Sequence, residues 1–167
     1  MRRQLLRNGT VVVDDWEHLE DDSNPIDGAG VDCRRLIIPF DRWLLDRHAF
    51  SGFTGQLGVL LLPAHRVEDL AQDLQRFSLV SADFPGPGDG RGYTQGRLLR
   101  ERYGFKGELR ASGYVRRDQL FNLARCGFTS FELPENELKD ASAAFMTFTA
   151  TYQRANDAGL PGKLLHR

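Results

Sequence analysis

Gly58-Val59-Leu60-Leu61-Leu62 is an unbroken apolar run, and a helix-compatible stretch over 67–76 follows it. Continuous apolar strands of this kind suit a sheet covered on both faces. The same strand-then-helix rhythm continues on either side. A strand over 35–38 precedes a helix over 42–47, with Asp41 placed to cap it. A strand over 77–82 leads through a glycine-rich loop to a helix over 93–103. Strands over 108–111 and 128–133 precede helices over 117–125 and 135–156. Five such units at a spacing of about twenty residues predict parallel strands joined by right-handed crossovers. The expected fold class is α/β, about five parallel strands alternating with helices. The spacing is compatible with an open doubly wound sheet and with a partial barrel.

Ahead of these units, 5–13 reads as a β-hairpin. Asn8-Gly9 supplies the two left-handed residues of a type I′ turn, and Val11, Val12 and Val13 favour a strand. Residues 14–32 then read as an acidic loop broken by Pro25, Gly28 and Gly30. With 167 residues the chain fits a single α/β domain: 1–32 form the hairpin and loop, and 33–167 the repeated units.

Composition excludes several classes. Hydrophobic residues at 41% and charged residues at 27% argue against a disordered or fibrous chain. The longest wholly aliphatic stretch, Val59-Leu60-Leu61-Leu62, is far short of a membrane span, and Met1-Arg2-Arg3-Gln4 does not open a secretory signal. Cys33 and Cys126 stand apart, which points to reduced thiols and a cytoplasmic location. His18, His48, His65 and His166 lack zinc-site spacing, so no metal is expected. Cys126 before Gly127 sits at a predicted helix end, where the dipole raises a thiol's pKa and disfavours nucleophilic work.

The net charge of −1 conceals a local imbalance. Residues 14–32 carry eight acids and no Lys or Arg, while 91–117 carry eight bases against two acids. These segments would neutralise each other, within the fold or across a dimer, or face different partners. No nucleic-acid motif accompanies the basic segment.

In parallel α/β folds ligands gather at the carboxyl ends of the strands. Asp41, His65, Asp83, then Ser112, Gly113 and Tyr114, and finally Glu132 and Glu135 fall there. Between Asp83 and Arg97 runs a loop rich in glycine that enters a helix. It misses the dinucleotide and P-loop registers, so no cofactor is assigned. It offers Asp89, Arg91, Thr94 and Arg97 around a helix N-terminus, where backbone N–H groups favour an anion. The alternative is a plain loop with Asp89 capping the helix and bonding Arg91. Arg110 alternates with Leu109 and Ala111 on an internal strand and needs a carboxylate partner, for which Asp83, Asp89 and Asp118 are candidates. Asp118 also suits the first turn of a helix. The candidate ligand-binding set is therefore Asp83, Asp89, Arg91, Thr94, Arg97, Arg110 and Asp118. Leu138, Ala141, Phe145, Phe148, Tyr152 and Ala155 form an apolar stripe on the last helix, which packs on the sheet or makes a homodimer seam.

Asp14-Asp15-Trp16, Asp89-Gly90-Arg91-Gly92-Tyr93, Gly107-Glu108-Leu109-Arg110-Ala111, Arg117-Asp118-Gln119-Leu120 and Gly127-Phe128 together resemble a bacterial family, domain of unknown function 934. The resemblance implies a context, because members are often encoded beside assimilatory sulfite reductase and are labelled oxidoreductases or accessory proteins. The family usually has Asp where this chain has Tyr114, and often Asp at Thr129, so acid–base work at either position would be missing here. The expectation is an accessory protein that docks on sulfite reductase or its electron donor. The alternative is a small-anion-binding enzyme, possible oxidoreductases included, with its site at the strand ends. Neither nucleic acid nor membrane is expected as a partner.

Overall fold

A computed structural model describes residues 3–19 and 34–146. The expectations for 20–33, with Pro25, Gly28, Gly30 and Cys33, lie outside the described residues, as do those for Phe148, Tyr152, Ala155 and His166. The chain opens with β1 (Gln4–Arg7) and β2 (Thr10–Val13), joined at Asn8 and Gly9 with φ of 50° and 79°. This is the predicted hairpin turn. A two-residue strand, β3 (Glu17–His18), follows. Then come β4 (Arg35–Pro39), α1 (Phe40–Leu45), β5 (Gln56–Leu61), α2 (Val67–Leu70) and β6 (Leu79–Phe84). The succession closes with α3 (Arg91–Arg97), β7 (Glu108–Gly113), α4 (Leu120–Arg125), β8 (Ser130–Phe131) and α5 (Glu135–Met146).

These strands form one eight-stranded sheet ordered β2-β1-β8-β7-β6-β5-β4-β3. Strands β3 to β8 are mutually parallel, and the hairpin joins β8 in antiparallel sense. The count of five thus becomes six, because β3 lies within a segment read as loop. Two polar residues between loop-like neighbours carry no strand signal, and pairing with β4 alone makes them one. Some helices are also shorter than expected. The 67–76 stretch breaks into α2 and a 3-10 turn at Leu74–Arg76, and α3 passes into a π-type turn at Leu98–Arg102. Asp41 falls in the first turn of α1 rather than at its cap, which is Pro39.

The choice between open sheet and partial barrel follows from chain length. Strands β2 and β3 lie at opposite edges, yet only Asp14, Asp15 and Trp16 separate them. Four Cα steps reach at most about 14 Å. Eight strands laid flat at about 4.8 Å would span about 34 Å. The sheet therefore curls until its edges approach one another, an open half-barrel.

Register assigns the two faces. Ile38, Val59, Val80 and Leu109 form one outward row, and Leu61, Ala82, Ala111, Phe131 and Leu6 the next. They belong to the main core, which includes Phe40 and Trp43 of α1, Leu70 of α2, Leu120 and Leu123 of α4, and Leu138 and Ala141 of α5. The described part of the α5 stripe therefore packs on its own sheet. Phe145 lies 5.8 Å from the Phe131 ring, and the Ser142 hydroxyl donates to the Gly9 carbonyl. On the inner face His18, Ile37, Gly58, Leu79 and Glu108 make one row. Pro39, Leu60, Ser81, Arg110, Ser130 and Arg7 make the next. Among the described residues no helix core reaches these rows; Trp16 packs there with Ile37 and Leu79. Gly58 leaves it room, since a Cβ would stand 3.0 Å from the Trp16 ring. Among the described residues no helix is long and apolar enough to cross a membrane.

Candidate functional site

Beyond the carboxyl ends of β6 and β7 the predicted loop takes shape. Asp89 accepts a hydrogen bond from the Arg91 backbone N–H (3.1 Å) and from its Nε (3.0 Å), which fixes the start of α3. These bonds hold the Asp89 carboxyl below its ordinary range. Arg91 keeps 61% of its side chain exposed. This arrangement matches the plain-loop reading, although Gly90 rather than Asp89 occupies the cap position. Thr94 is exposed, and Arg97 turns outward to pair with Glu101 at 3.3 Å. Asp118 is exposed on the 3-10 turn Arg117–Gln119. Asp83 sits opposite Ser112 in the inner row nearest the strand ends. Burial, and then the charge of Asp89, push its carboxyl above the usual value. Gly113 (φ 82°) closes this corner, since a Cβ there would stand 2.5 Å from Asp83 Oδ1.

Arg110 corrects the expected grouping. Its side chain is fully buried, and its partners are Asp14, Glu108 and Glu132 rather than Asp83, Asp89 or Asp118. The reason is parity and reach. Arg110 points into the curled sheet three residues before the end of β7, level with Ser81 and Ser130. Glu108 shares its strand face, and Glu132 follows β8 alongside. Asp14 arrives from the segment that crosses the sheet's interior. Nη1 donates to Asp14 Oδ2 at 3.0 Å and Nη2 to Oδ1 at 3.1 Å, a bidentate fork. Glu108 Oε1 accepts from Nη2 at 3.1 Å, and Glu132 Oε1 lies 3.5 Å from Nη1.

Further charges complete the cluster. Arg3 reaches Glu132 at 2.9 Å, and Arg7 reaches Glu108 at 3.2 Å and Asp15 at 3.4 Å. Arg35 also pairs with Asp15. The Ser130 hydroxyl donates to Glu108 at 2.6 Å, and the Ser81 hydroxyl to Ser112 at 3.0 Å. Among the described residues four arginines and four carboxylates balance in this cluster, with Arg110, Asp14 and Glu132 buried and Arg3, Arg35 and Asp15 at its exposed edge. Partial burial, with Arg3 and Arg110 nearby, lowers the pKa of His18 against the opposing pull of Glu132 and Asp14. The first three acids of the acidic segment thus serve differently: Asp14 neutralises Arg110 of the basic segment, Asp15 serves Arg7 and Arg35, and Glu17 is exposed.

Other basic residues are equally committed. Arg100 donates to three carbonyls, of Gly127, Phe105 and Gly107, and so ties the π-type turn to the start of β7. The Cys126 thiol's pKa is raised, in the expected direction, with burial rather than the helix dipole as its cause.

At the ends of β4 and β5, His65 Nδ1 accepts the Leu62 N–H at 3.0 Å, which leaves its proton on Nε2, 3.2 Å from Asp41 Oδ1. Gln95, buried in α3, donates to the carbonyls of Leu62 and His65 at 2.9 Å each. Both ring nitrogens of His65 are engaged in holding this turn. Sequence reading missed Gln95, Asp14, Glu108 and Glu132 as partners. Glu108-x-Arg110-x-Ser112 and Ser130-x-Glu132 do carry a signal, polar alternation on strands whose other face is apolar. Among the described residues no three His, Cys, Asp or Glu side chains converge as a metal site would require.

The seven predicted residues thus separate into the Asp89–Arg91 pair, Asp83 beside it, three exposed side chains, and a buried Arg110. Residues 58–162 match the family described as bacterial protein of unknown function, DUF934. The chain belongs to this family. The DUF934 span begins inside β5 and takes in β6 to β8 together with Arg110, Glu108 and Glu132, whereas Asp14 and Trp16 stand before it. No curated protein matches the sequence.

Proposed function

We propose that this DUF934 protein is a cytoplasmic accessory of assimilatory sulfite reduction, and that it acts by docking on sulfite reductase or on its electron donor. The observation that supports a docking role over catalysis is the neutrality of the interior. Among the described residues Arg110 is matched by Asp14, Glu108 and Glu132, so its charge is already met within the fold. The side chains that remain available face outward. Leu62 (41% exposed) and Tyr114 (37%) stand directly past the carboxyl ends of β5 and β7, and Leu45 (84%) ends the short α1. Arg116 lies over the Tyr114 ring at 4.8 Å, an aromatic–cation pair of the kind enriched at interfaces.

Affinity capture on the tagged full chain from sulfate-grown cells tests this reading. Sulfite reductase or its donor should be retained, and Tyr114→Glu with Leu62→Asp should reduce retention. Recovery of neither protein overturns the reading. Growth of a deletion strain on sulfate and on cysteine adds a second readout, with rescue by cysteine alone expected.

The small-anion enzyme has narrower support, from the exposed Arg91 beside Asp89 at the start of α3. Calorimetry with sulfite, sulfate and phosphate on the full chain, and on Arg91→Gln, would register binding there.

A further inference from the structure

Of the three carboxylates that surround Arg110, two are built into the sheet. Glu108 lies on β7, and Glu132 follows β8, where its N–H donates to the Ala111 carbonyl at 2.9 Å. Asp14 is different. It sits on the three-residue crossing between the sheet's two edges, and its side chain is 4% exposed against the fully buried guanidinium. Its carboxylate fills the outer fork of Arg110 with two hydrogen bonds, and Oδ1 also accepts the Trp16 N–H at 3.2 Å. This is how a protein holds a bound carboxylate or oxyanion: a planar guanidinium fork and a backbone donor. The buried hydroxyls on the same face are committed within the sheet: Ser81 donates to Ser112, Ser112 to the Ala82 carbonyl and Ser130 to Glu108.

Among the described residues Arg3, Arg7 and Arg110 face Glu108, Glu132 and Asp14, with Arg3 reaching in from the exposed edge. Withdrawal of Asp14 leaves the buried Arg110 with Glu108 at 3.1 Å and Glu132 at 3.5 Å, but with the two-bond position at its fork unfilled, a position shaped for a planar oxyanion. We infer that the interior of the curled sheet around Arg110 is a binding site for a small oxyanion, and that Asp14 is its built-in occupant. The segment Asp14-Asp15-Trp16 is then both the bridge across the half-barrel and the plug of the site, with Trp16 filling the apolar part beside Gly58. The site exists whether or not the chain docks on a reductase.

The test exchanges the plug for a free anion. Full-chain Asp14→Ala is titrated with sodium formate, sodium acetate or sodium phosphate, with sodium chloride at matched ionic strength as control. Formate should raise the variant's Tm saturably, by about 3–5 °C at tenfold its Kd. The wild type, whose fork is filled, should not respond beyond the chloride control. Asp14→Ala combined with Arg110→Gln should lose the response. A phosphate response without a formate response would assign the fork to tetrahedral anions, and the reverse to carboxylates; each supports the site. Equal shifts with chloride, or equal shifts in the wild type, overturn it. Should Asp14→Ala fail to fold in buffer, refolding in 0.1 M formate and in 0.1 M chloride, roughly saturating for a millimolar site, reads the same exchange. Recovery in formate alone supports the site, and failure in both overturns it.

Discussion

Asp14 and Arg110 stand 96 residues apart in sequence and meet through two hydrogen bonds of 3.0 and 3.1 Å inside the curled sheet. Each is the other's condition for burial. The arginine would not be tolerated among Ser81, Ser112 and Ser130 without carboxylates, and Asp14 would not be held over the sheet without the fork.

Replacing Arg110 by Met keeps much of the volume but leaves Asp14, Glu108 and Glu132 facing one another, with Arg3 and Arg7 the cations among the described residues that offset them. Breaking a buried pair this way costs about 3–5 kcal/mol. In a chain of this size that is a Tm lower by roughly 10 °C. Arg110→Lys keeps the charge but loses the fork, and should fall between the two. Thermal melts of the three proteins check the order.

Trp16 is the apolar half of the crossing segment, packed on Ile37, Leu79 and the open surface of Gly58. Trp16→Ala should lose about 3–5 kcal/mol in urea unfolding, as large aromatic truncations do. Gly58→Val would place a branched side chain where a Cβ alone stands 3.0 Å from that ring. It should therefore weaken the near-ultraviolet dichroism of Trp16 as well as stability.

Asp83 carries a raised pKa, from burial first and then from Asp89. A carboxyl that is harder to ionise in the folded state makes the fold less stable as pH rises through its titration. Asp83→Asn removes that loss. The variant should melt above the wild type at pH 7, and the gap should close as pH falls below the ordinary carboxyl value of about 3.8. A gap that persists at pH 3 would assign the gain to something other than ionisation.

His18 shows the opposite slope. Its pKa is lowered, chiefly by burial, so the unfolded chain binds the proton more readily than the fold. Stability from this residue is complete above the ordinary value of 6.5 and is lost as pH falls below it. His18→Gln should flatten the decline in Tm between pH 6.5 and the carboxyl range. An unchanged slope would place the acid sensitivity in the carboxylates.

Much of the architecture was legible because it is local. The hairpin follows from Asn8-Gly9, whose left-handed φ values any fold would need there. The parallel strands follow from short apolar runs alternating with helical stretches. Less legible were the elements that partners create. Glu17 and His18 are a strand only because β4 offers an edge, and β8 is two residues long because the hairpin and β7 meet it there. In the candidate site the Asp89–Arg91 pair was readable, since residues two apart on a turn must meet. The partners of Arg110 were not, because a side chain's inward direction can be read from alternation but the distant group it meets cannot.

Sequence alone therefore determined that strands and helices alternate in parallel, that Arg110 is internal and needs a carboxylate, and that Asp89 and Arg91 share a loop. Tertiary structure alone decided that the sheet curls, that the helices of the core cover one face, and that Asp14 supplies the missing charge. The division has a physical cause. Backbone propensity and hydrophobic period act over a few residues, whereas curvature came from three residues having to join two edges of an eight-stranded sheet.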